Sequence, residues 1–345
     1  MNYWREKMGK ADLDWEDLSF GYVKTDYNIR YIFRDGAWST GELVQDDSLN
    51  VHIAAPALHY GQQCFEGLKA FETKDGNIVV FRPEENAKRL NRSCDSMLFP
   101  DLPEDLFLDA IKKVVAANSR FVPPYGTGAS LYIRPLVLGM GPKVGLGEAV
   151  EYMFMIFVTP VGPYYKSGFT PVKALVVDCY DRAAPRGVGQ YKVGGNYAAG
   201  MRGQHHGKEK GYPIVLYLDA REKKYINEFG TSNFIAIKDK TYLTPESDSI
   251  LPSITNKSLM QLAEHLGYGS ERRPISVSEL ETFDEAGAVG TATVITPVSE
   301  IHYKGTDYHF GESDKAGPII TELYDTFQNI QTGVVEDTFN WLLHI

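Results

Sequence analysis

Hydrophobic and polar positions alternate along one early stretch of the chain, and this period of two predicts a β-strand. Residues 29–34 alternate and end at Asp35-Gly36, a dipeptide that favours a hairpin turn, and residues 78–81 follow Asp75-Gly76 in the same way. Other apolar runs predict further strands, which are residues 131–138, 152–158, 173–178, 213–219, 225–237 and 288–295.

Apolar residues recur every three or four positions in three other stretches, and this spacing predicts helices. The stretches are residues 84–98, a segment that begins near Pro103, and residues 256–266. Strands joined by hairpins and interrupted by helices predict an α+β fold and not a regular alternation of parallel units.

The segment of residues 159–169 contains two prolines and two glycines, a composition that favours a linker. We therefore predict an N-terminal α+β domain at residues 1–158, an interdomain linker at 159–170 and a C-terminal α+β domain at 171–345.

Composition narrows the class of protein. The chain has 345 residues and a formal net charge of −10, which argues against a general nucleic-acid or anionic-membrane binder, since both need a basic surface. Its three cysteines suggest neither a disulfide framework nor a zinc pattern, and no metal motif occurs. We find no signal peptide in the first fifteen residues and no run of membrane-spanning length, so we expect a cytoplasmic protein.

Lys192 is the first candidate for chemistry, although most lysines are solvated surface charges. Two glycines follow it, and apolar or aromatic residues flank it. Glycines permit close packing of the backbone, and a desolvated lysine has the lowered pKa that a Schiff-base lysine needs. From this local sequence alone, a solvated surface charge remains the stronger interpretation of Lys192.

Three further segments have both a structural and a functional interpretation. Glu228 interrupts an apolar stretch. It is either a surface position on an edge strand or the partner of a cationic ring nitrogen. Ser253 and Thr255 precede a helix, where they can cap it or help to form an anion site at its positive end. The small residues at 288–293 end a strand and leave amides and hydroxyls available.

Two arginines also stand out. Arg89 lies at the edge of the apolar face of the predicted helix 84–98, where a surface role is the simpler interpretation. Arg134 interrupts an apolar strand, and a buried arginine needs an anionic partner.

Together these segments resemble the branched-chain aminotransferases, which are pyridoxal-5′-phosphate (PLP) enzymes of fold type IV, the D-alanine-aminotransferase-like group. The Lys, Glu and phosphate-loop set is specific to the fold group. The motifs Phe-Glu-Gly at 65–67, Tyr-x-Arg-Pro at 132–135 and Lys-x-Gly-Gly-Asn-Tyr at 192–197 indicate the branched-chain branch. The resemblance extends from about Phe20 to the C-terminal region. It implies two α+β domains with the cofactor between them, in a homodimer.

The resemblance also implies roles for individual residues. Lys192 is expected to carry PLP and, once freed, to move the proton between the substrate's Cα and the cofactor's C4′. The expected cofactor-binding residues are Glu228 for the pyridine nitrogen, Tyr197 for the 3′-oxygen, and Arg89, Ile254, Thr255 and Thr291 for the phosphate. The expected substrate-binding residues are Phe20, Tyr60, Phe65, Tyr132, Arg134, Tyr164 and Thr231 for the side-chain pocket, Ala292 and Thr293 for the α-carboxylate, and Leu146, which reaches the partner subunit's site.

The expected activity is transfer of the amino group from leucine, isoleucine or valine to 2-oxoglutarate. Two alternatives remain at this point. One is another enzyme of the same fold group, a D-amino-acid aminotransferase or a 4-amino-4-deoxychorismate lyase, and the other is a PLP-binding protein without activity. One departure from the family is that Thr293 and Thr296 occupy the positions of the Cys-x-x-Cys pair of mammalian members, so thiol regulation is in doubt.

Overall fold

The computed structural model describes residues 9–163 and 168–345. Its chain divides into two compact units. The first comprises Met1–Tyr164, Tyr191–Gly194 and Asn329–Ile345, and the second comprises Tyr165–Gln190 and Gly195–Gln328. The predicted division into two contiguous domains, separated by a linker at residues 159–170, stays a prediction. The two units differ from that division because Tyr191–Gly194 and Asn329–Ile345 belong to the first unit.

The helices and strands follow in chain order. In the first part of the chain they are β1 (Asn28–Arg34), β2 (Ala37–Trp38), β3 (Glu42–Val44), α1 (Pro56–His59), β4 (Gln63–Phe65), β5 (Leu68–Glu72), β6 (Ile78–Phe81), α2 (Pro83–Ser96), α3 (Glu104–Ala117), a 3-10 turn (Ser119–Phe121), β7 (Ser130–Met140) and β8 (Glu151–Val161). After these come β9 (Val172–Val177), α4 (Gly194–Glu209), β10 (Ile214–Leu218), β11 (Ile226–Phe229), β12 (Asn233–Lys238), β13 (Thr241–Pro245), α5 (Ile254–His265), β14 (Gly269–Arg273), a 3-10 segment (Val277–Thr282), β15 (Glu285–Gly290), β16 (Val294–Tyr303), β17 (Thr306–His309), α6 (Pro318–Gln331) and β18 (Leu342–His344).

Among the described residues, the sheet of the first unit has nine strands, with the main order β18-β6-β5-β7-β8-β1-β2. The long strands β7 and β8 pair antiparallel along their whole length and form its centre. Successive side chains of a strand point to opposite faces, so β7 contributes side chains to both faces of the sheet. Leu131, Ile133 and Val137 join the core formed with α2 and α3. Tyr132 and Arg134 lie on the other face, as their alternation with these residues requires.

The described part of the second unit also contains a nine-stranded sheet, and six of its strands form a closed circuit. Strands β11, β10, β9, β16, β15 and β12 pair in that order, and β12 pairs again with β11. Their apolar side chains, among them Val176, Leu216, Phe229, Phe234 and Val298, form one buried cluster. Closure of this circuit leaves each of its strands with a neighbour on both sides, and Glu228 lies within it at 2 % exposure.

The expectation of an α+β fold is confirmed, and several boundaries differ from the pattern. The single strands expected at 225–237 and 288–295 are each two strands, separated by turns at residues 230–232 and 291–293. Apolar and small residues continue through these turns, so the pattern did not mark them. No helix among residues 9–163 and 168–345 is long and apolar enough to cross a membrane.

Helix α4 was not expected from the sequence, because it contains five glycines and glycine disfavours helices. The structure gives the reason for two of them. A Cβ at Gly203 would lie 2.2 Å from the hydroxyl oxygen of Tyr217, and one at Gly207 would lie 2.3 Å from a methyl of Val215. The glycines therefore allow α4 to pack directly on β10.

Candidate active site

Lys192 lies in the short segment that belongs to the first unit, and its backbone is held on both sides. The amide of Phe65 donates to the Lys192 carbonyl at 3.1 Å. The Lys192 amide donates to Ser93 Oγ at 2.9 Å. Its Nζ lies 4.7 Å from the centroid of the Phe65 ring. The half-buried side chain therefore extends from a fixed backbone, with β4 on one side and α2 on the other.

Arg89 forms an ion pair that the sequence analysis missed. Its Nε and Nη2 donate to the two carboxylate oxygens of Glu66 at 2.7 and 2.8 Å. Asn86 Nδ2 donates to the same carboxylate at 2.7 Å, and the Gly67 amide does so at 3.1 Å. Burial by itself raises the pKa of Glu66, but Arg89, Lys192 and Asn86 outweigh it and hold that pKa below its ordinary value.

A cationic group lies among aromatic rings on the non-core face of the first sheet. The guanidinium carbon of Arg134 is 4.9 Å from the ring centroid of Phe65 and 5.2 Å from that of Tyr132. Arg134 Nη2 donates to the Tyr132 hydroxyl at 3.1 Å, and Phe20 packs edge-on against Tyr132 with 5.2 Å between ring centroids. Arg134 Nε is buried and has no hydrogen-bond partner among the described residues. Four of the expected pocket residues thus come together.

Three other expected pocket residues have different surroundings or lie outside the described residues. The hydroxyl of Tyr60 donates to the carbonyl of Val144, so it binds the loop that follows β7. In that loop Leu146 is 83 % exposed. Tyr164 lies outside the described residues.

Glu228 is buried in the second unit with an arginine that the sequence analysis also missed. Arg182 Nη1 lies 2.8 Å from Glu228 Oε1, and the Leu251 amide donates to the same oxygen at 2.9 Å. Asn233 Nδ2 donates to Oε2 at 2.9 Å. Arg182 also donates to the carbonyl of Ser249 at 3.0 Å. The edge-strand surface interpretation of Glu228 is therefore wrong.

The side chain of Asn233 connects Glu228 with the segment that leads into helix α5. Its amide nitrogen donates to the Leu251 carbonyl at 3.1 Å, and its amide oxygen accepts from Asn256 Nδ2 at 3.2 Å. Ser253 caps α5 by accepting from the Asn256 amide at 3.2 Å, so Ile254 and Thr255 form the first turn of that helix. The expected N-cap interaction is confirmed for Ser253.

The turns at residues 230–232 and 291–293 lie at the same end of the paired strands β12 and β15. Strand β12 begins at Asn233, which is paired with Val289 near the end of β15. A Cβ at Gly290 would lie 3.9 Å from the Thr231 carbonyl oxygen, so the turns are close to each other. Thr231 lies in the first turn, and the second turn consists of Thr291, Ala292 and Thr293. Glu228 pairs with Asn233 at this end of the strands. Tyr197 is half-buried in the first turns of α4.

No group of His, Cys, Asp and Glu side chains within the described ranges has the arrangement of a metal site. The candidate site itself offers a lysine, buried carboxylate–arginine pairs, a helix N-terminus and small-residue turns.

Comparison with known proteins agrees with this inventory. Residues 63–301 match the family model described as amino-transferase class IV. The chain is 45 % identical to a branched-chain-amino-acid aminotransferase of Haemophilus influenzae over 341 residues, which cover 97 % of this chain and 99 % of that protein. The branched-chain amino acid aminotransferase structure of Escherichia coli has a TM-score of 0.77 at 30 % identity, covering 92 % of this chain and 99 % of that chain.

A second solved structure, of the T.th. branched-chain amino acid aminotransferase, is complexed with N-(5′-phosphopyridoxyl)-L-glutamate. It has a TM-score of 0.76 at 26 % identity and covers 93 % of this chain and 99 % of that chain. The extent of these matches, over nearly the whole chain, shows that the protein belongs to the class IV aminotransferase family, among the branched-chain-amino-acid aminotransferases.

Proposed function

We propose that this aminotransferase uses PLP to transfer the amino group of L-leucine, L-isoleucine or L-valine to 2-oxoglutarate by a ping-pong mechanism. The observation that carries the substrate assignment is Arg134 among the rings of Phe65, Tyr132 and Phe20. Aromatic surface suits a branched apolar side chain, whereas the second carboxylate of glutamate is costly to bury without a cation. One pocket with both properties accommodates both substrates in turn.

The residues present fit PLP. When bound, this cofactor supplies an electron-accepting ring that stabilises negative charge at the substrate's Cα. Glu228 is a buried carboxylate suited to a cationic ring nitrogen, and the N-terminus of α5 is suited to a phosphate because its amides and dipole favour anions. In this proposal Ile254, Thr255, Thr291 and Arg89 bind the phosphate, and Tyr197 donates to the ring oxygen.

Lys192 has two proposed tasks. With PLP bound, its Nζ would hold the cofactor through a carbon–nitrogen bond formed at the aldehyde carbon with release of water. Once the substrate's amino group has replaced it at that carbon, the freed amine would carry the proton between Cα and C4′. The bonds from Phe65 and to Ser93 hold the lysine backbone while its side chain moves between these positions. A fixed backbone limits the volume that Nζ explores, which favours a proton transfer over a short distance.

The other pocket residues complete the proposal. Ala292 and Thr293 present amides to the α-carboxylate, while Tyr60, Thr231 and Tyr164 line the side-chain pocket. Leu146 contacts the active site of a partner subunit in a homodimer, and the 83 % exposure of this leucine supports a partner-facing loop. We also propose a cytoplasmic location, which the three free cysteines support, since reducing compartments preserve thiols.

The test is a panel of amino donors, each mixed with the PLP-loaded enzyme and 2-oxoglutarate, in which glutamate formation is measured. L-leucine, L-isoleucine and L-valine are expected to react, and D-alanine is expected to be inert. Faster reaction of D-alanine than of L-leucine would refute the proposal. So would cofactor binding without transfer to any of the branched-chain donors.

A further inference from the structure

We propose that Glu66 is a positioning residue that aims Arg89 at the phosphate ester of the cofactor. The inference rests on the proposed function, because it takes Arg89 as a phosphate-binding group. It concerns a residue that touches neither the substrate nor the ring in our proposal and acts through another side chain.

Four hydrogen bonds converge on the Glu66 carboxylate, which is 0 % exposed. Arg89 supplies two of them, Asn86 supplies one and the Gly67 amide supplies one. The backbone is held as well, since the Glu66 amide donates to the Pro135 carbonyl at 2.8 Å. These bonds hold the carboxylate in one position, and the carboxylate in turn fixes the position of the Arg89 guanidinium.

The pairing also defines a direction. Arg89 uses Nε and Nη2 for Glu66, and a guanidinium is planar, so the plane of the group and the direction of Nη1 are determined by the carboxylate. An arginine without such a partner samples many rotamers and must lose that freedom when it binds an anion.

The same two elements hold Lys192. Helix α2 carries Arg89 and also Ser93, whose hydroxyl donates to the Arg89 carbonyl at 3.1 Å and accepts from the Lys192 amide. On the β4 side, Phe65 binds the Lys192 carbonyl and is the neighbour of Glu66 in the chain. One hydrogen-bonded cluster therefore fixes the backbone of Lys192 relative to Arg89.

Charge and geometry predict opposite effects of changing Glu66. A carboxylate near a phosphate repels it, so if charge alone mattered, neutralising Glu66 would strengthen phosphate binding. If Glu66 positions Arg89, the same change weakens phosphate binding, because one half of the two-pronged interaction is lost. The positioning effect outweighs the repulsion, because the hydrogen bonds from Asn86 and the Gly67 amide partly offset the negative charge of the carboxylate.

The experiment compares two probes, PLP and pyridoxal, which differ only in the phosphate and both react with Lys192. The dissociation constant of each is measured with the full-length apoprotein, and the ratio of the two constants reports phosphate recognition alone. A change that merely loosens the structure affects both probes and leaves this ratio unchanged. The variants are Glu66→Asp, which keeps the charge but is shorter by one methylene, and Glu66→Gln, which keeps the length but loses the charge. The matched control is Glu72→Gln on the neighbouring strand β5.

Both Glu66 variants are expected to lower the preference for PLP by about 10-fold or more, as loss of a charge-assisted bond does, while pyridoxal binding and the Glu72→Gln control stay within about twofold. Circular dichroism establishes whether each variant is folded. If only one of the two Glu66 variants folds, its preference for PLP over pyridoxal is enough to test the inference. An unchanged preference, or a higher preference in Glu66→Gln, overturns the inference.

Arg89→Gln separates this inference from the proposed function. If Arg89→Gln lowers the preference but the Glu66 variants do not, only the positioning role of Glu66 is refuted. If Arg89→Gln leaves the preference unchanged, the phosphate-binding role of Arg89 is refuted and the role of Glu66 with it.

Discussion

The guanidinium of Arg182 lies 2.8 Å from the carboxylate of Glu228, and both side chains are more than nine-tenths buried. Arg182 also donates to the carbonyls of Gly189 and Ser249, at 3.3 and 3.0 Å. One side chain therefore connects three segments of the second unit and supplies the counter-charge of a buried carboxylate.

We predict that Arg182→Met lowers the free energy of unfolding by about 3–5 kcal/mol, because removing one partner leaves the other charge buried and uncompensated. The measurement is urea unfolding followed by circular dichroism. The double variant Arg182→Met/Glu228→Gln is expected to recover part of the loss, since it no longer buries a charge. A loss below about 1 kcal/mol in the single variant, typical of an exposed pair, would contradict the prediction.

Lys192→Ala is expected to keep the fold and to lose the lysine–cofactor bond that borohydride reduces. Transamination should fall by at least about 100- to 10,000-fold, the usual contribution of a positioned acid–base group. Mass spectrometry after borohydride treatment measures the bond, and Lys112→Ala, at an exposed position on α3, is the control. Turnover near the normal rate would show that another residue carries the chemistry.

Arg134→Ala should impair the half-reactions of glutamate and 2-oxoglutarate far more than that of leucine. A lost charge-assisted pair with a carboxylate corresponds to about a 10- to 100-fold loss in kcat/KM. Single-turnover measurements with each substrate test this separately. Arg34→Ala, at the exposed end of β1, is the control. Equal losses for leucine and glutamate would indicate a general structural defect.

Lys69 predicts a pH dependence of stability. It lies on β5 opposite Tyr132, and burial lowers its pKa from 10.5 to about 8. Between pH 8 and pH 10.5 the unfolded chain therefore binds more protons at this residue than the folded chain, so the contribution of Lys69 to stability increases as the pH rises through that window.

Lys69→Met removes this contribution. The variant should be more stable than the parent by about 1 to 3 kcal/mol below pH 8, and the difference should narrow as the pH approaches 10.5. Urea unfolding at four pH values measures it, with Lys112→Met as the exposed control. A difference that stays constant with pH would show that Lys69 has no lowered pKa.

The sequence by itself determined the elements with a clear period and the residues with local context. The strands around Ile29 and Ile78, the helix with Ala87 and Leu90, and the cap at Ser253 were all predictable, because each depends on neighbours within one or two turns of chain. Lys192 stood out for the same reason, through the glycines and aromatic residues beside it.

The tertiary structure alone decided the partners of the buried charges. Nothing in the local pattern connects Glu66 with Arg89 or Arg182 with Glu228, because each pair is brought together by strand pairing and helix packing between distant segments. It also decided that α4 is a helix despite its glycines, since close packing on Tyr217 and Val215 outweighs their low helix propensity. Propensity acts over a few residues, whereas burial and charge compensation act between residues that only the fold makes neighbours.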